Sequence, residues 1–186
     1  MSPASTKQRI LAISRDLFAR QGYTGTSIAD IARELGTTTA ALYYHFPSKA
    51  DILRALLADP MAAYTRLLDG MRDSPLLPEE LLGALIDLAA ESRELAVIID
   101  RDPAVLKLIT EQLPQPSEQL NEQVIAALAG PDADHLATIR AHAAYSVTKN
   151  ATLAAMSLGG APGTDSKLDP ADRAEILHAA LRALDQ

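Results

Sequence analysis

Gly36 separates two short stretches of helical periodicity, and this arrangement limits the first third of the chain more than any other feature. On its N-terminal side Thr26 or Ser27 can cap a helix in which Ile28, Ile31, Ala32 and Leu35 recur on one face. On its C-terminal side Thr37 to Thr39 offer new caps for a helix that runs to about His45. Phe46-Pro47 ends that helix, because the residue before a proline is pushed out of the helical region. Upstream, Ser5 or Thr6 caps a longer helix with Ile10, Ile13, Leu17 and Phe18 inward, stopping near Gln21-Gly22. Downstream, Ser48 caps a fourth, carrying Ile52, Leu53, Leu56 and Leu57. Two short helices about a glycine turn behind a longer one describe a helix-turn-helix or a plain αα-corner.

The segment after the turn separates these two readings. In "TTTAALYYHFPSKADIL" the rings of Tyr43, Tyr44, His45 and Phe46 follow one another directly. Successive helical residues lie about 100° apart, so these rings cannot share a face. Leu42 and Phe46 suit the core, and the other rings must look outward. In a helix-turn-helix the N-terminal part of the second helix meets base edges in the major groove. Here that part is Thr38, Thr39, Ala40 and Ala41, which offers methyl groups and hydroxyls rather than guanidinium or amide groups. Phosphates suit helix starts, where unpaired N–H groups and a positive helix end face an anion. Thr26 with Ser27, and Ser48 with Lys49, are the candidates.

Charge fits this division. Residues 1–58 carry seven Lys/Arg against four acids, a net of +3, and the remainder carries a net of −10. A basic head on an acidic body suggests a polyanion partner for the head alone, though +3 is also ordinary surface chemistry.

"TSIADIARELGTTTAALYYHFPSKADIL", preceded by "RDLFARQGYTGTS", resembles the DNA-binding head of the tetracycline-repressor (TetR) family of bacterial transcription regulators. The resemblance covers roughly residues 5–58. It implies a homodimer reading a roughly palindromic double-stranded operator, with affinity controlled by a small-molecule effector in the second domain, most often as a repressor. It also implies that Tyr43 and His45 bond phosphates while Tyr44 packs across sugar and backbone.

The rest of the chain reads as helical too, because β-branched alternation is nearly absent. The expected fold is all-α: a helix-turn-helix head over 1–58 and a larger helical regulatory and dimerisation body over 59–186. Asp59-Pro60 reads as an N-cap and a first-turn proline, which predicts a kinked or split connector near Ala58. Body helices follow at about 78–98, 102–113 and 117–129, then two alanine-rich ones at about 133–158 and 170–184. The resemblance makes this last pair the dimer seam. Polar residues inside apolar periodicity, His142, Tyr145, Lys149 and Asn150 with Met61 and Tyr64 opposite, form a candidate effector pocket.

Other chemistry finds little support. There is no cysteine, which removes disulfides and thiolate sites. There is no glycine-rich phosphate loop or nucleophile elbow, and His135, His142 and His178 are sparse. No catalytic residue, metal ligand or cofactor is therefore expected, the effector aside. Met1 to Arg9 is polar, unlike a signal peptide, and no apolar run approaches the ~20 residues of a bilayer span. The expectation is a cytoplasmic protein without a membrane partner. The competing reading is a helical small-molecule-binding or protein-interaction protein that binds no operator.

Overall fold

The computed structural model describes residues 5–92, 95, 98, 102–112, 117–158 and 168–185. Among these residues every regular element is a helix. They are α1 (Thr6–Gln21), α2 (Ile28–Leu35), α3 (Thr39–His45), α4 (Lys49–Asp73), α5 (Pro78–Glu91), α6 (Pro103–Gln112), α7 (Ser117–Ala129), α8 (His135–Leu158) and α9 (Pro170–Leu184). The chain divides into two compact units, one of Met1–Met61 with Glu94–Gln112, the other of Ala62–Arg93 with Leu113–Gln186. The first unit thus adds a later segment to the head read from the sequence.

In the first unit, local chemistry sets the short helices. Ser5 caps α1 through a reciprocal capping box with Gln8. Ser27 does the same for α2 with Asp30. Gly36 ends α2 at φ 70°, a left-handed conformation that a Cβ disfavours. Its N–H bonds the Ala32 and Arg33 carbonyls, which turns the chain into α3. Ile10, Phe18, Ile31, Leu42, Phe46, Ile52 and Leu53 are buried, so α1 to α4 all contribute to the core. The Phe18 and Tyr23 rings meet edge to face, their centroids 5.2 Å apart.

The connector departs from the sequence reading. α4 is one helix with Pro60 inside it, and it is not split at Asp59. An interior proline forfeits one backbone hydrogen bond. Leu53, Leu57 and Leu68, buried on either side, commit the helix's apolar face before and after that point. Local cap chemistry is outweighed by burial.

In the second unit, α8 packs against α5, α7 and α9. Its buried side is mostly small, Ala141, Ala144, Thr148 and Thr152, with Met156 one turn further on. The two threonine hydroxyls donate back to Ala144 O at 2.9 Å and Thr148 O at 2.7 Å, so burying them leaves no donor unpaired. Neighbouring helices can therefore approach closely. Arg173 on α9 forks onto both Asp87 oxygens of α5 at 2.7 and 2.8 Å. That pair is half exposed and contributes roughly 1 kcal/mol or less.

Candidate nucleic-acid interface

The surface of α3 is built by contrast. Leu42 is fully buried and Phe46 nearly so, which fixes the inward face of this two-turn helix. Thr37, Thr38, Thr39, Ala40 and Ala41 are all exposed. Thr38 caps the helix by accepting from the Ala41 N–H at 3.2 Å, and its own hydroxyl proton stays available. Tyr43 is 52% exposed and Tyr44 is 86% exposed. His45, half-buried, meets the Tyr44 ring edge to face at 5.2 Å. The consecutive rings thus stand outward beside the two buried anchors. Thr38, Thr39, Ala40, Tyr43 and Tyr44 lie together on one short element.

The expected phosphate ligands at the helix starts are placed differently. Thr26 is a correction: it is only 1% exposed. Its hydroxyl donates to Gly22 O at 2.8 Å and accepts from Gln21 Nε2 at 3.3 Å. It is a loop staple, not a DNA ligand. Ser27 is exposed, but its Oγ donates to Asp30 Oδ2 at 2.6 Å. The Ser27 hydroxyl and N–H, with Arg33, hold Asp30 well below the ordinary carboxylate range, at about 2. The start of α2 therefore already carries an anion of its own. Ser48 repeats the arrangement, donating to Asp51 Oδ2 at 2.7 Å, and Asp51 also pairs with Arg54.

Lys49 also departs from expectation. Its ammonium turns inward and donates to Tyr23 O and Thr26 O, both at 2.7 Å. The same nitrogen lies 4.3 Å from the Tyr23 ring centroid. Burial pulls its pKa below the usual lysine value, and the nearby Asp102 charge opposes that pull. A charge engaged by two carbonyls and a ring is a structural tie.

Two residues of this unit escaped the sequence reading. Lys7 stands exposed in the first turn of α1, its nitrogen 5.3 Å from the centroid of the Phe46 ring that ends α3. No acid occupies that turn, so the base sits against the helix dipole. That mismatch was the available signal. Asp102 is buried, although the sequence placed it at the start of a body helix. It accepts the Thr24 N–H at 2.6 Å and the Thr24 hydroxyl at 3.0 Å.

The expected effector pocket does not assemble as a set. His142, Lys149 and Asn150 are exposed on α8, and Met61 belongs to the first unit. Tyr64 and Tyr145 remain, both half-buried as whole residues. The Tyr145 hydroxyl donates to Asn121 Oδ1 at 2.7 Å. The buried Tyr64 hydroxyl lies beside the Tyr145 hydroxyl, its one polar neighbour of note, outside strict bonding geometry. Burial drives its pKa far upward, and the proximity of Tyr145 adds to the rise. Elsewhere in this unit an open cleft of about 370 Å³ is lined by residues including Leu77, Leu128, Arg140, Leu181 and Leu184. None of the six expected residues lines it.

The described residues are helical throughout their regular elements, and α2, Gly36 and α3 form a helix-turn-helix with an outward second helix. Residues 10–56 match the model for bacterial regulatory proteins of the tetR family, which places the head of the chain in likeness to that family. The chain is 33% identical over 108 residues to the HTH-type transcriptional repressor KstR2 of Mycolicibacterium smegmatis, covering 55% of this chain and 51% of that protein. It thus spans about half the length of that relative. The ketosteroid transcriptional regulator KstR2 of Mycobacterium tuberculosis superposes with a TM-score of 0.66 at 20% identity, over 97% of this chain and 96% of that one. FadR of Bacillus subtilis, solved with stearoyl-CoA, superposes with a TM-score of 0.62 at 13% identity, over 94% and 97%. At these identities the structural likenesses speak for the fold. No helix among the described residues is long and apolar enough to cross a membrane.

Proposed function

We propose that the chain is a one-component transcription regulator, acting as a repressor, that binds a palindromic operator as a homodimer. The observation that carries this reading is the outward set on α3: Thr38, Thr39, Ala40, Tyr43 and Tyr44, exposed beside the buried Leu42 and Phe46. Threonine and alanine methyls suit thymine methyl groups, so base discrimination leans towards A·T pairs. Phosphate contact falls to the Tyr43 hydroxyl, His45 and Lys7, and the starts of α2 and α4 contribute less because their own carboxylates cap them.

Dimerisation through α8 and α9 is supported by an unburied stripe on α8 at helical spacing: Leu136, Ile139, Ala143, Ser146, Asn150 and Ala154. Two readers on one dimer match half-sites about 34–36 Å apart. A small-molecule effector in the second unit would shift that separation. Tyr64, its hydroxyl buried beside that of Tyr145, is the polar anchor there, and the FadR neighbour solved with stearoyl-CoA supports an amphipathic ligand.

The test is a titration of duplex DNA at several salt concentrations. Lys7→Ala should weaken matched and scrambled duplexes alike and reduce the salt slope by about 0.9. Tyr43→Phe should cost about 1 kcal/mol, roughly five-fold in affinity, and leave the slope alone. Wild-type binding that ignores salt defeats the reading. Sedimentation at micromolar concentration should show a dimer that Ala154→Arg weakens. Ala180, fully buried, is unsuitable for this purpose, because an arginine there would disrupt the subunit itself.

A further inference from the structure

The loop between α1 and α2 is gripped from two distant points of the sequence. It is tight: a Cβ on Gly25 would lie 2.4 Å from the Gln21 carbonyl oxygen. Its polar groups are shared between one cation and one anion. Lys49, the first residue of α4, takes the carbonyls of Tyr23 and Thr26 at 2.7 Å each. Asp102 takes the N–H and hydroxyl of Thr24 at 2.6 and 3.0 Å. The same carboxylate accepts the Ala104 N–H at 3.1 Å, and its backbone carbonyl accepts the Val105 N–H at 2.9 Å, so it also caps α6.

We propose that Asp102 completes the DNA-binding unit as a positioning residue. It holds the Tyr23–Ser27 loop, and with it the start of α2, at the angle from which α3 presents its surface. The proposal rests on the reading of α3 as the DNA-contacting helix. Ser27 caps α2, and Gly36 joins α2 to α3 without slack, so a loop that relaxes at Thr24 releases the reading helix as well. Asp102 is buried and presents nothing to DNA. Burial pushes its pKa up, but the Thr24 and Ala104 hydrogen bonds and the Lys49 charge outweigh that and keep it below the usual value. The side chain is therefore an anion at neutral pH inside a unit that binds a polyanion.

That charge makes the test decisive in sign. If Asp102 acted only through its charge, Asp102→Ala would tighten binding to duplex DNA. Positioning predicts the reverse. In the full-length protein, D102A should weaken binding to mixed-sequence duplex DNA about ten-fold, with an unchanged salt slope because no phosphate contact is removed. Thr24→Val keeps the N–H donor and should lose less. Asp102→Asn retains one acceptor and should fall between the two. Amide exchange across Ser27–Ala32 should accelerate in D102A.

D102A binding as tightly as wild type, or more tightly, overturns the proposal. If D102A fails to fold, Thr24→Val decides, and wild-type affinity in that variant overturns it. If wild type itself shows no salt-dependent binding, the α3 reading falls. The exchange measurement then still judges the Asp102 link, and unaltered exchange in D102A rejects it.

Discussion

Tyr43 and Tyr44 in the first unit and Tyr64 and Tyr145 in the second are the same side chain in opposite surroundings. The first two project from a two-turn helix into solvent, 52% and 86% exposed. The other two have their phenols withdrawn from water, with burial raising both pKa values. The difference follows from spacing. Adjacent rings on a helix diverge by about 100°, so a pair beside Leu42 cannot follow it inward. Tyr64 and Tyr145 each stand singly within apolar periodicity and can turn towards a core. An outward phenol is available to a partner outside the chain. An inward one must find its partner within, as Tyr145 does in Asn121, while Tyr64 has only the neighbouring Tyr145 hydroxyl outside strict bonding geometry.

The largest expected effect sets the two pairs against each other. Tyr64→Ala removes a ring packed in the second unit and should cost about 3 kcal/mol of stability, read as a lower denaturation midpoint. Tyr44→Ala should leave stability within about 0.5 kcal/mol and act on DNA affinity instead. Equal stability losses in the two variants would erase the distinction.

The pattern also shows what a sequence can disclose. The α2–Gly36–α3 geometry, the Leu42 and Phe46 anchors and the outward rings were legible because each depends on neighbours within a few positions. What was missed depends on contacts across the chain. Thr26 and Ser27 are equivalent as caps by residue type, and only the path of the loop decides that Thr26 is buried. The carbonyls that capture Lys49 lie 26 and 23 positions away, and the donors that capture Asp102 lie 78 positions away, beyond any periodicity. Asp59-Pro60 carried a correct local signal that burial of leucines on both sides overrode. His142, Lys149 and Asn150 failed as pocket residues because proximity along a helix does not say which face is covered.

A middle-sized effect sharpens the buried side. Tyr145→Phe deletes the donor to Asn121 and leaves a part-buried amide oxygen unpaired, which should cost about 1–3 kcal/mol. The same phenols give an alkaline signature. Their folded pKa values are raised above the unfolded value of 10.0, so their contribution to stability is complete below that pH. As pH rises past about 10, the unfolded chain loses these protons first and stability falls. Denaturant midpoints measured on either side of pH 10 should show this fall, smaller in Tyr145→Phe than in wild type.

The smallest effect is the most discriminating within the buried pair, because its sign differs from that of Tyr145→Phe. The Tyr64 hydroxyl is desolvated and lies beside the Tyr145 hydroxyl outside strict bonding geometry, so Tyr64→Phe removes a desolvation cost and gives up only that weak contact. The ring and its packing stay. Stability should be unchanged or rise by up to about 1 kcal/mol, measured as the shift in denaturation midpoint. A loss comparable to that of Tyr145→Phe would mean that the Tyr64 hydroxyl has a partner in solution. Its setting would then be an ordinary satisfied core, and the polar anchor assigned to an effector would lose its basis. A neutral or positive shift would show that the Tyr64 hydroxyl is not needed for folding, which keeps it free to serve as that anchor.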